Sequence, residues 1–182
     1  MSLLILGLLL WSGAHLFKRL APGSRASLGA KGKGLVALGI VAGLVLMVVG
    51  YRSSETHDLY ALPAFLRHVN NLLMLIVVAL FGLGQSKSRL RGKLRHPMLM
   101  GVILWGVAHL LVNSDAASWV LFGGMIVWAH LEMRLINRRD PPPAPFTGGS
   151  LAGDIRLGLI SLVVYAVIAG IHIWLGYNPF PM

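Results

Sequence analysis

Six apolar runs dominate this chain, and they constrain it to a fold whose solvent is lipid. They cover Ser2–Phe17, Gly34–Tyr51, Val69–Gly84, Pro97–Asn113, Ala116–Ile136 and Ile155–Tyr177. An α-helix rises 1.5 Å per residue, so the shortest runs reach about 24 Å against a hydrocarbon core of ~30 Å. Flanking Lys18 and Arg67 can snorkel to make up the difference. Only 12% of residues are charged and 56% are hydrophobic, whereas soluble domains carry about 25% charged residues. The chain has no cysteine, which excludes disulfides, thiolate ligands, iron–sulfur clusters and cysteine nucleophiles. The expected fold is all-α: one polytopic bundle of six transmembrane helices over residues 1–182, without a separate soluble domain.

The charges sort by side. Lys18, Arg19, Arg25, Lys31 and Lys33 follow the first run. Lys87, Arg89, Arg91, Lys93 and Arg95 follow the third, and Arg134, Arg138, Arg139 and Arg156 follow the fifth. Only Arg52 and Arg67 fall on the other side. Basic loops face the cytoplasm, so this alternation places both termini outside, and a different number of spans would destroy it. No basic residue precedes the first run, which reads as an anchor and not a cleaved leader. The net charge of +10 is therefore topology, with membrane lipids as its partners and no nucleic acid. Loop chemistry agrees. Pro97 after His96 suits a first helical turn. Ser114 or Asp115 is expected to cap span five, and Asp154 to cap span six. Pro141, Pro142, Pro143 and Pro145 make a stiff segment before flexible Gly148 and Gly149.

A motif recurs. Gly7, Leu10, Trp11, Ala14, His15 and Leu16 match Gly101, Leu104, Trp105, Ala108, His109 and Leu110 in the pattern G-x-x-L-W-x-x-A-H-L. Each copy opens a three-span half. Three is odd, so the halves would cross the bilayer in opposite senses, as in a 3+3 inverted repeat with its site near the midplane. Spans two and five show no such match.

Seven histidines stand out in so apolar a chain, because polar residues inside a span are costly and tend to have a task. His57 falls in an outer loop, His68 at the outer mouth of span three and His96 at the inner mouth of span four. His15, His109, His130 and His172 lie within spans. His15 and His109 enter from opposite faces and each passes the midplane by roughly 5 Å, leaving a vertical offset of about 10 Å. A tilted haem can bridge that offset, with neutral imidazoles as axial ligands and Trp11 and Trp105 lining an apolar pocket. A second grouping competes: His68, His109 and His172 all fall in the outer half, a set that suits zinc or haem. Ser161, Tyr165 and His172 form one stripe on span six. The bland alternative is hydrogen-bonded packing, favoured for His130 beside Trp128 and Glu132. Glu132 and Arg134 are expected to reach water or headgroups. No Ser–His–Asp set, paired catalytic carboxylates, P-loop or G-x-G-x-x-G stands out.

The block Leu94-Arg95-His96-Pro97, then Trp105, Ala108, His109, Leu110, Asn113 and Asp115, then Leu121-Phe122-Gly123 and Asn137-Arg138-Arg139 resembles the NnrU family. Gly50-Tyr51 and Ala14-His15-Leu16 are similar to it as well. The resemblance implies a bacterial multi-pass inner (cytoplasmic) membrane protein linked to denitrification and to nitrite or nitric oxide metabolism, with respiratory or denitrification membrane partners. The family is in turn similar to the zeta-carotene isomerase of plants and cyanobacteria, an integral membrane enzyme that uses haem b. That likeness implies His15 and His109 as the metal-ligating pair. His68, His96, His130 and His172 stand behind them as cofactor-site candidates: alternative ligands, propionate partners or proton donors. It also implies a hydrophobic small-molecule substrate if the chain is a haem-dependent cis–trans isomerase of a polyene lipid. The isomerase motif carries a cysteine where this chain has Gly106. Two other readings stand beside these: a cofactor-free membrane assembly factor, and an S-adenosylmethionine-dependent membrane methyltransferase. The latter shares Arg95-His96-Pro97 but continues R-H-P-x-Y, where this chain has Met98-Leu99.

Overall fold

A computed structural model of the protein describes residues 1–144 and 146–180. Pro145, part of the expected stiff segment, lies outside the described residues. Regular structure among the described residues is helical, and the only extended pairings there are the isolated bridges Asp58–Asp115 and Ser88–Ser150. The elements are α1 (Ser2–Leu20), α2 (Pro22–Ser27), α3 (Lys31–Arg52), α4 (Leu66–Leu83), α5 (Pro97–Leu110), α6 (Ala116–Ser118), a π-helical turn (Trp119–Gly123), α7 (Gly124–Arg139) and α8 (Leu151–Trp174). The stretch α6–π–α7 forms one rod of 24 residues.

Five of these helices are long and apolar enough to cross a membrane: α1, α3, α4, the α6–α7 rod and α8. The fourth apolar run folds as α5, which has 14 residues and ends at Leu110, short of the expected Asn113. Its end is tightened by a Val112 N–H bond to the His109 carbonyl and by the Asn113 side-chain amide donating to that same carbonyl at 2.8 Å. At 1.5 Å per residue α5 covers about 21 Å, less than a full hydrocarbon core. Leu9, Leu38 and Val163 stay more than 60% exposed on helix flanks without charge, a surface that suits lipid and not water.

The helix starts follow local chemistry. Pro97 opens α5, where its missing N–H costs nothing. Asp115 caps α6: Oδ1 accepts from the Ser118 N–H at 2.9 Å and Oδ2 from the Ser118 hydroxyl at 2.6 Å. Asp154 does not cap α8. Ser150 does, accepting from the Gly153 N–H at 3.0 Å, because the helix begins four residues earlier than the apolar run. Asp154 lies in the first turn and accepts from the Ser88 hydroxyl (2.7 Å), the Arg89 N–H (2.9 Å) and Arg89 Nε (2.6 Å).

The chain forms two compact units. The first comprises Met1–Tyr60 and Ser114–Asp140. Here α1 lies against α3 at backbone contact distance. A Cβ on Gly43 would stand 2.7 Å from the Trp11 nitrogen, and one on Gly7 2.5 Å from the Met47 nitrogen. Small residues allow this approach where van der Waals contact must hold helices together. At one end Tyr51 and Ser118 share a hydroxyl–hydroxyl bond of 2.9 Å, and the Ser114 hydroxyl donates to Asp58 at 2.8 Å. At the other end Arg19 of α1 meets Glu132 and Asp140. So α1 and α7 run the same way.

The second unit comprises Ala61–Asn113 and Pro141–Met182. α4 and α5 pack antiparallel, with Gly101 against Leu80 and Phe81. α4 and α8 are also antiparallel: Ser88, after α4, meets Asp154 at the start of α8, while Asn71, near the start of α4, donates to the Pro179 carbonyl at 3.0 Å. Gly153 lies so close to the Lys87 carbonyl that a side chain there would collide with it.

Candidate functional site

In the first unit, Trp11, His15 and Arg19 recur every four residues and so share one face of α1. Gly43 of α3 backs Trp11. The His15 Nδ1 lies 2.9 Å from the Trp11 carbonyl. A carbonyl only accepts, so this nitrogen carries the proton and Nε2 of the neutral ring carries the lone pair. The His15 ring packs 4.3 Å from Trp11 and 4.9 Å from Trp128 of α7, centroid to centroid, and the two indoles meet edge-on at 5.7 Å. One turn along, Arg19 Nη1 donates to Glu132 Oε1 at 2.5 Å and Nη2 to Asp140 Oδ2 at 3.0 Å. Glu132 is only 7% exposed. It does not reach water or headgroups as expected, because Arg19 draws it between helices.

In the second unit the other motif copy folds alike. His109 Nδ1 stands 2.9 Å from the Trp105 carbonyl, and the rings lie 5.0 Å apart. His172 of α8 is near enough to act on His109 electrostatically, and its own Nδ1 bonds the Ile168 carbonyl at 2.8 Å. Ser161, Tyr165 and His172 hold one stripe of α8, with Ser161 buried. The repeat thus recurs as local structure. Its longer-range packing differs, because α1 leans on α3 and α5 on α4, which come from the same sequence half.

The remaining candidates scatter. His130 is exposed, with Nδ1 on the Ile126 carbonyl at 3.0 Å. The backbone bond therefore recurs at all four in-span histidines and singles out none of them. The indole contacts single out His15 and His109. His68 is exposed in the first turn of α4, His96 precedes Pro97 half-buried, and His57 is exposed beside Glu55. Among the described residues no three His, Asp or Glu side chains form a metal-holding group, so His68, His109 and His172 are not assembled as one.

Sequence reasoning missed the Arg19–Glu132–Asp140 set and the network of Tyr51, Ser118, Asp115, Ser114 and Asp58. A signal existed for the first: Arg19 follows His15 by four residues, and Glu132 follows Trp128 by four. The pairing of the two faces was not readable.

The family model described as NnrU protein matches residues 3–179. No curated protein and no solved structure matches the chain.

Proposed function

The chain belongs to the NnrU family, and on that premise we propose a six-span bacterial inner-membrane protein that binds haem b through His15 and His109 and supports nitrogen-oxide metabolism. The observation that carries this reading is the shared geometry of the two motif copies. Each ends in a histidine whose Nδ1 is tied to the carbonyl four residues back and whose ring lies on the motif's own indole. A backbone bond at Nδ1 fixes the tautomer and leaves Nε2 as the nitrogen that would hold a haem iron. The indoles supply flat apolar walls of the kind a porphyrin face requires. When bound, haem supplies a one-electron couple. The chain's own part is to orient the imidazoles.

The topology has independent support within each unit. In the first, the basic ends of α1 and α7 meet at Arg19, and the loop after α3 meets the start of α6. In the second, the basic loop after α4 meets the start of α8. Each pairing joins ends that the charge pattern assigns to one side, with both termini outside. α5 serves as a short span four, helped by the turn at Leu111–Asn113 and by snorkelling Arg95.

The test is an oxidised-minus-reduced absorbance spectrum of protein purified in mild detergent from haem-replete cells, with a pyridine haemochrome assay. The expected result is one b-type haem per chain, lost or shifted in His15→Ala and His109→Ala and kept in His130→Ala. Folded protein without haem, or a spectrum indifferent to both histidines, refutes the proposal.

A further inference from the structure

Five buried side-chain atoms have no hydrogen-bond partner among the described residues. One, Asn70 Oδ1, stands alone in the second unit. The other four gather where α1 meets α7: Trp11 Nε1, Arg19 Nε, Trp128 Nε1 and Glu132 Oε2. They form two pairs. The indoles of Trp11 and Trp128 meet edge-on at 5.7 Å, and Arg19 meets Glu132 through Nη1 and Oε1. Trp128 and Glu132 lie one turn apart on α7, so the pairs are about 6 Å apart along that helix. Both residues are deeply buried, 6% and 7% exposed.

A bare buried polar atom is costly, and four in one patch need a common cause. Their chemistry restricts what can answer them. Three are donors, because an indole or guanidinium N–H never accepts. The fourth is a carboxylate oxygen, which accepts. One acceptor cannot serve three donors, so no side-chain rotation within the set satisfies it. Lipid chains offer no acceptor at all. Water offers both roles, accepting from the indoles and the guanidinium and donating to the carboxylate. Two waters in line, with bonds of about 2.8 Å, span the distance between the pairs. The other carboxylate on Arg19, that of Asp140, has a 46% exposed side chain, which gives water an entry beside Arg19.

We propose that Trp11, Trp128, Arg19 and Glu132 form a buried water-binding site between α1 and α7. One water accepts from the two indoles. A second accepts from Arg19 Nε and donates to Glu132 Oε2. The two helices therefore meet here through bound solvent as well as through the ion pair, and water stands beside the His15 ring that packs on both indoles. The inference does not rest on what His15 binds.

Solid-state NMR of the whole isotope-labelled protein in lipid vesicles tests it, by transferring magnetisation from water protons to the indole N–H groups. Each indole is assigned through its own backbone, so no variant is needed for the assignment. The dry reference is the backbone amide of Val77, fully buried within α4. The expected result is transfer to Trp11 and Trp128 several-fold above that reference. In Glu132→Gln the transfer to Trp128 falls by about half or more, because an amide nitrogen replaces the one free acceptor with a donor. Transfer to either indole at the level of Val77 overturns the proposal. So do indoles whose shifts report a bonded N–H that takes up nothing from water, since a non-aqueous acceptor then fills the gap. Unchanged transfer in a folded Glu132→Gln overturns it as well. Should that variant fail to fold, the wild-type spectrum decides alone.

Discussion

Replacing Gly43 by alanine tests the packing that carries His15. The new Cβ would stand 2.7 Å from the Trp11 nitrogen and 3.0 Å from both the Gly7 carbonyl oxygen and the Trp11 Cα. Carbon contacts settle at about 3.5 Å or more, so α1 must retreat by roughly 0.5–1 Å. All three obstructing atoms are helix backbone and have no rotamer to escape into. Overpacking of this kind costs about 1–3 kcal/mol, offset by about 0.5–1 kcal/mol from removing a helical glycine. The net loss is about 1–2 kcal/mol, which lowers Tm by about 2–8 °C in a chain of this size. Gly13→Ala is the control. It lies on α1, the partner helix that carries Trp11 and His15, with nothing within 4 Å of a new Cβ, so Tm should hold or rise by about 1–3 °C. Thermal unfolding followed by circular dichroism in one mild detergent compares them. Equal Tm values for Gly43→Ala and Gly13→Ala would refute the reasoning that backbone contact between α1 and α3 sets the position of Trp11 and His15.

Three further outcomes are expected. Asp115→Ala removes the cap of α6 and the acceptor of the buried Ser118 hydroxyl, at a cost of about 1–3 kcal/mol; a change within about 0.5 kcal/mol in denaturant titration would show that the network holds nothing. Trp128→Ala opens a cavity beside His15 and should cost about 3–5 kcal/mol, whereas Trp128→Phe keeps a ring there and should cost about 1.5 kcal/mol or less, read by the same unfolding assay. Gly153→Val drives a side chain into the Lys87 carbonyl, so limited proteolysis should cut the loop after α4 faster than in the wild type; an unchanged cleavage rate would show that the loop does not depend on that contact.

Much of this protein is legible along the chain, because lipid makes a simple demand. Every backbone polar group must be satisfied within its own helix, so apolar length alone locates α1, α3, α4, the α6–α7 rod and α8. Local chemistry locates Pro97 and Asp115, since each acts on backbone groups within four residues. Where a terminus depends on a distant partner, the chain misleads. Asp154 has the composition of a cap but is claimed by Ser88 and Arg89, 66 and 65 residues away. Glu132 has the look of an interfacial carboxylate but is claimed by Arg19, 113 residues away. The motif histidines lie between these cases. Their bond to the carbonyl four residues back is a local consequence of being helical, and so is the indole of their own copy. The second indole at His15 is not, because Trp128 arrives on α7.

By itself, then, the sequence determines that the chain is helical and apolar, which loop ends carry the positive charge, and which two helices bear the repeated tryptophan and histidine. These properties follow from periodicity, transfer free energy and contacts within one turn. Only the tertiary structure decides that α1 leans on α3 through Gly7 and Gly43, that α5 stops at Leu110, and that one guanidinium answers to two carboxylates beside His15. Those outcomes depend on which helix faces meet, and helices in lipid choose partners by close steric fit and by the few polar groups that need one another. Neither is written in the hydrophobic pattern of a single span.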